Sequence, residues 1–70
     1  MERFGEKLRK LRLQHELSYR QLGAELEVAF THLANIENGT KNPSPDLILR
    51  IADYFGVTAD ALMRDELEVD

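Results

Sequence analysis

Ser18-Tyr19-Arg20-Gln21-Leu22-Gly23-Ala24-Glu25-Leu26-Glu27-Val28-Ala29-Phe30-Thr31-His32-Leu33-Ala34-Asn35-Ile36-Glu37-Asn38-Gly39 is the stretch whose spacing decides the fold. Ser18 followed by Gln21 is the capping-box pattern, in which a hydroxyl and a side-chain amide satisfy free backbone groups at a helix start. Leu22 and Leu26 supply a buried stripe, which resumes at Val28, Leu33 and Ile36 after the period breaks near Glu27. The break predicts two short helices joined by a tight turn, over about residues 18 to 38. Asn38-Gly39 ends the pair, because glycine takes the left-handed conformation after a helix without a steric penalty. Gly23 is the smallest position of the first helix and lets the second approach closely. The same apolar residues also suit a generic helical bundle, so the spacing alone predicts the helix pair and not its use.

The neighbouring segments extend the helical reading in both directions. Phe4, Leu8 and Leu11 form an i, i+4, i+7 face, with Arg3, Lys7, Arg9, Lys10 and Arg12 around it. That polar side reads either as a solvated face, with Glu6 and Lys10 paired, or as a phosphate-binding one. After a loop at Thr40-Lys41-Asn42-Pro43, Ser44-Pro45-Asp46 starts a fourth helix. Ile48, Ile51, Ala52 and Phe55 form its core stripe, and Gly56 closes it. Thr58 caps a short fifth helix around Leu62, reaching about Arg64, and the acidic residues 65 to 70 are expected to fray. No segment alternates as a strand does, so the expected fold is all-α, with five helices in one domain over residues 1 to 70.

Composition narrows the function. The net charge of −4 argues against a nucleic-acid partner. Its distribution weakens that objection: residues 1 to 43 hold 7 basic and 6 acidic residues, residues 44 to 70 hold 2 and 7. The acidity belongs to the second half, and a DNA face needs only a local positive stripe. There is no cysteine, so disulfides and thiolate zinc sites are excluded. Neither a signal-peptide core nor a membrane-length apolar run occurs, and a cytoplasmic location is expected. His15 and His32 lack partners at metal-ligand spacing, and no phosphate loop or nucleophile elbow is present. No metal, cofactor or enzymatic activity is expected.

Leu17-Ser18, Gln21-Leu22-Gly23, Ile36-Glu37-Asn38-Gly39, Asn42-Pro43-Ser44 and Phe55-Gly56-Val57 together resemble the phage repressor and Cro type of helix-turn-helix, the XRE family. The likeness runs from Phe4 to about Met63. It implies a lambda-repressor-like domain that binds double-stranded DNA. The start of helix two, with Tyr19, Arg20 and Gln21, would face a phosphate. Helix three would lie in the major groove and present Phe30, Thr31, His32 and Asn35 to the bases. Arg12 and Glu37 match a pair bridging helix one to the end of helix three, with Arg12 shared between the carboxylate and a phosphate. Asn38, Thr40, Lys41 and Asn42 would hold phosphate through backbone amides and the lysine.

Three departures from the family pattern carry consequences. Glu27 stands where glycine is usual, and a positive φ there costs roughly 1 kcal/mol. Ala29 cannot cap helix three, a loss of roughly 1 kcal/mol. The third helix also holds no Arg or Lys, which removes bidentate guanine contacts from it and favours A·T-rich or shape-based readout. The expected protein is a repressor-type transcriptional regulator, a homodimer on a palindromic operator. Leu47, Leu49, Tyr54 and Met63 are its candidate dimer surface, or else scattered exposed apolar residues. The alternative is an antitoxin-like or controller-type module whose acidic tail engages a protein partner.

Overall fold

Three of the five helices begin on a side-chain oxygen placed by the sequence. The computed structural model describes residues 1–69; Asp70, the end of the expected tail, lies outside them. The helices are α1 (Phe4–Gln14), α2 (Tyr19–Leu26), α3 (Phe30–Glu37), α4 (Pro45–Phe55) and α5 (Ala59–Met63). Ser18, Ser44 and Thr58 accept from the amides of Gln21, Leu47 and Ala61, and the Ser18–Gln21 box is reciprocal. Gly56 closes α4 at φ 68°, and Gly39 follows α3 at φ 81°. The starts of α2, α4 and α5 and the ends of α3 and α4 therefore fall where expected, because local capping chemistry sets them.

The stripes converge on one core. Phe4, Leu8, Leu11, Leu22, Leu26, Leu33, Ile36, Ile48, Ile51, Ala52, Phe55 and Leu62 are all buried in it. α1 packs on α3 and α5, α2 on α3 and α4, and α4 on α5. Two glycines permit the tightest crossings. A Cβ on Gly23 would lie 2.8 Å from the Val28 carbonyl oxygen, which matches the expected close approach of α3. A Cβ on Gly5 would lie 2.5 Å from the carbonyl oxygen of Ile36 and 2.7 Å from that of Glu37. Helix α1 thus crosses the end of α3 at backbone contact, a constraint that the sequence reading passes over.

Three sequence expectations need correction. Leu47, a candidate for the dimer surface, is 2% exposed and belongs to the core. The cause is that α4 packs on both α2 and α5, so its apolar face is wider than the single stripe. Lys7 is not on a solvated face: it is 1% exposed, and its Nζ donates to the carbonyls of Ala61 (2.7 Å) and Arg64 (2.6 Å). A cation placed on the last carbonyls of α5 satisfies acceptors that the short helix leaves open. The acidic tail, expected to fray, is docked through residue 69. Asp65 accepts from the amides of Glu2 and Arg3, Glu68 takes two bonds from the Arg3 guanidinium, and Val69 is buried.

Candidate nucleic-acid interface

The geometry of the α2–α3 pair follows from its turn. Glu27 adopts φ 59°, ψ 42°, so the left-handed turn forms with a non-glycine residue, and its amide donates to the Gly23 carbonyl. Ala29 precedes α3 with extended backbone and no side-chain cap. Helix α3 nonetheless starts at Phe30. Arg50 of α4 donates to the Leu26 carbonyl at 2.5 Å and so closes the end of α2 from a third helix.

With Leu33 and Ile36 buried, the opposite side of α3 faces out. Phe30 is 36% exposed, Thr31 is exposed, and His32 and Asn35 are half-buried. Around the helix, Thr31 and Asn35 lie opposite the buried Leu33–Ile36 side, while Phe30 and His32 lie at its two margins. The Asn35 side-chain amide makes no hydrogen bond among the described residues, while its backbone carbonyl accepts from the amides of Thr40 (2.9 Å) and Lys41 (3.2 Å). The unspent amide is the chemistry that reads an adenine edge.

The bridging pair is a buried network. Arg12 Nε donates to Glu37 Oε2 at 2.8 Å, and Arg12 Nη1 donates to the Leu17 carbonyl at 2.8 Å. The Tyr19 hydroxyl donates to Glu37 Oε1 at 3.2 Å, and the Arg12 guanidinium lies 4.2 Å above the Tyr19 ring. The side chains of Arg12 and Glu37 are only 9% and 1% exposed. Hydrogen bonding to Glu37 holds the Arg12 pKa above its usual value. The arrangement fixes α1, the start of α2 and the end of α3 as one unit.

These contacts revise the expected phosphate set. Arg12 is almost enclosed and its donors serve Glu37 and Leu17, so it has little surface to share with a phosphate. Tyr19 is likewise turned inward, although its backbone amide and that of Arg20 remain at the open start of α2, since Ser18 caps only Gln21. The loop amides of Asn38, Gly39, Thr40 and Lys41 are bonded to the carbonyls of Ala34, Ile36 and Asn35. The loop therefore offers the Lys41 ammonium, the exposed side chains of Asn38, Thr40 and Asn42, and the Asn42 amide, rather than a nest of free amides. One contact spans the turn without any local sequence signal: the Arg20 guanidinium lies 4.3 Å from the centroid of the Phe30 ring.

A short helix carried on a crossed partner, with its apolar side in an all-helical core and its polar side outward, defines a helix-turn-helix domain. Residues 8–62 match the helix-turn-helix family, and the chain belongs to that family, in its XRE type. It is 36% identical over 64 residues to the control protein C.MunI of a Mycoplasma species, covering 90% of this chain and 86% of that protein. It is also 36% identical to the transcriptional repressor RghR of Bacillus subtilis, but spans only 47% of it. Among solved structures, the restriction-modification controller protein C.AhdI of Aeromonas hydrophila superposes with a TM-score of 0.79 at 27% identity, over 89% of this chain and 94% of that one. The N-terminal DNA-binding domain of SinR from Bacillus subtilis gives 0.86 at 22% identity, over 97% of this chain and 100% of that one, a likeness of fold. The chain is a DNA-binding regulator of this family.

Proposed function

We propose that the chain is a non-enzymatic, sequence-specific transcriptional regulator that acts in the cytoplasm as a homodimer on a palindromic operator, with half-sites about one helical turn apart. The observation that carries this reading is the outward face of α3, where Thr31 and Asn35 are central, Phe30 and His32 flank them, and the Asn35 amide makes no hydrogen bond among the described residues. Asn35 reads adenine, Thr31 offers a hydroxyl and a methyl, and Phe30 packs on a thymine methyl. The open amides at the start of α2 and the Lys41 side chain hold phosphates and set the docking register.

Leu49, Tyr54 and Met63, exposed by 57%, 39% and 41%, are the dimer surface, now without Leu47. The likeness to C.MunI and C.AhdI supports a controller-type role, and the equal identity with RghR supports a repressor-type one. An antitoxin-like role for the acidic tail loses support, because Asp65 and Glu68 are already engaged by the chain's first residues.

Selection of bound sites from a random duplex pool, followed by mobility shift at several salt concentrations, tests the proposal. An enriched palindrome, bound about 10-fold or more weakly by the Thr31→Ala, Asn35→Ala double variant, is the expected result. Enrichment of nothing, or unchanged affinity in the double variant, overturns it. Within segment 18–42 the basic residues are Arg20 and Lys41, so affinity is expected to fall only shallowly with salt.

A further inference from the structure

We infer that Arg20, on the helix before the recognition helix, is a base-reading residue that supplies the guanine contact which α3 itself lacks; the inference rests on the DNA reading above. Helix α3 has no Arg or Lys, so from its own residues it reads no guanine through the bidentate contact to O6 and N7. Arg20 is placed to compensate. Its guanidinium lies 4.3 Å from the centre of the Phe30 ring, well inside the roughly 6 Å reach of a cation–π contact.

Phe30 is the first residue of α3, and the N-terminal residues of a recognition helix are the ones that meet base edges. The stacking therefore draws Arg20 from the start of α2 towards the groove floor, away from the phosphate position that its place in the sequence suggests. An arginine lying on an aromatic face keeps the planar fork of N–H donors available at its edge. Those donors are unspent here. Arg3, Arg12, Arg50 and Arg64 are each tied to carboxylates, whereas Arg20, like Arg9 on α1, has no hydrogen bond or ion pair among the described residues, and of these two it is Arg20 that lies on the Phe30 ring. Phe30 and Arg20 thus form a composite reader: the ring edge takes a thymine methyl and the guanidinium takes a neighbouring guanine.

Pools selected with the wild type, Arg20→Gln and Phe30→Leu proteins separate the outcomes. The wild type is expected to enrich one guanine at a fixed position in each half-site, and replacing it in the operator to weaken binding about 5- to 100-fold. Arg20→Gln should flatten that single position and leave the remaining pattern intact. Phe30→Leu, which keeps an apolar side chain but removes the stacking face, should weaken the same guanine preference with Arg20 still present. If Arg20→Gln keeps the wild-type pattern and loses affinity equally on every sequence, with the salt slope reduced by about one, Arg20 is a phosphate contact and the inference fails alone. If the wild type enriches no site, the operator reading fails and takes this inference with it. Arg20 is exposed, so circular dichroism of Arg20→Gln is expected to match the wild type.

Discussion

Replacing Glu27 by glycine is expected to stabilise the fold, although it removes a side chain. Glu27 closes α2 at φ 59°, ψ 42°, in the left-handed region, and its side chain is exposed without a hydrogen bond or ion pair among the described residues. A residue with a Cβ loses about 1–2 kcal/mol in that conformation. Glycine adopts it freely but gives up about 0.5–1 kcal/mol more chain entropy on folding. Central values of about 1.5 and about 0.75 kcal/mol leave a net gain of about 0.75 kcal/mol, or about 3–6 °C in Tm for a domain of this size. Thermal unfolding followed by circular dichroism measures it. Glu27→Ala is the control, since it removes the charge and keeps the Cβ, and it should stay within about 0.5 kcal/mol of the wild type. A gain in Glu27→Ala equal to that in Glu27→Gly would refute the backbone argument and make the charge the cause.

Further outcomes follow from the packing. Glu37→Ala removes the acceptor of Arg12 and Tyr19 and leaves a buried guanidinium unpaired; a loss of about 3–5 kcal/mol is expected in urea unfolding, and a loss under 1 kcal/mol contradicts the network. Gly5→Ala improves helix propensity by about 1 kcal/mol, yet its Cβ meets two backbone oxygens of α3. A net loss of about 1–2 kcal/mol is expected in the same assay, and a gain would mean that the α1–α3 crossing yields easily. The amides of Arg3 and Glu2 hold the Asp65 carboxyl below its ordinary 3.8. Its contribution is therefore complete above that pH and disappears as the pH falls through the lowered folded value. Stability measured from pH 6 down to pH 2 should fall less steeply in Asp65→Asn than in the wild type.

What could be read in advance was local chemistry. Ser18 with Gln21, Ser44 with Pro45, and Thr58 each place a helix start, because a capping oxygen needs only residues three positions away. Leu33 and Ile36 fix the inward side of α3, and the outward residues follow by elimination. The misread residues depend on distant partners. Lys7 looks solvated until the carbonyls of Ala61 and Arg64 are brought to it, 54 and 57 residues later. Leu47 is core because α4 is covered from two sides, which its own period does not reveal. The loop amides at Thr40 and Lys41 looked free for phosphate, but Asn35 turns its carbonyl back to them. Arg20 and Phe30 meet across a turn whose exact course no residue spacing encodes.

The docked tail gives the first helix an unusual dependence on the last residues. Arg3 grips Glu68, Lys7 fills the end of α5, and the terminal ammonium lies 3.7 Å from Asp65. Loop-closure entropy rises only logarithmically, so joining segments some 60 residues apart costs about 1 kcal/mol more than joining segments 20 apart. Peeling at one extremity must undo the other, and unravelling from either side becomes a single shared event. A truncation after Met63 would therefore be felt most strongly not beside the cut but in α1, at the opposite end of the polypeptide.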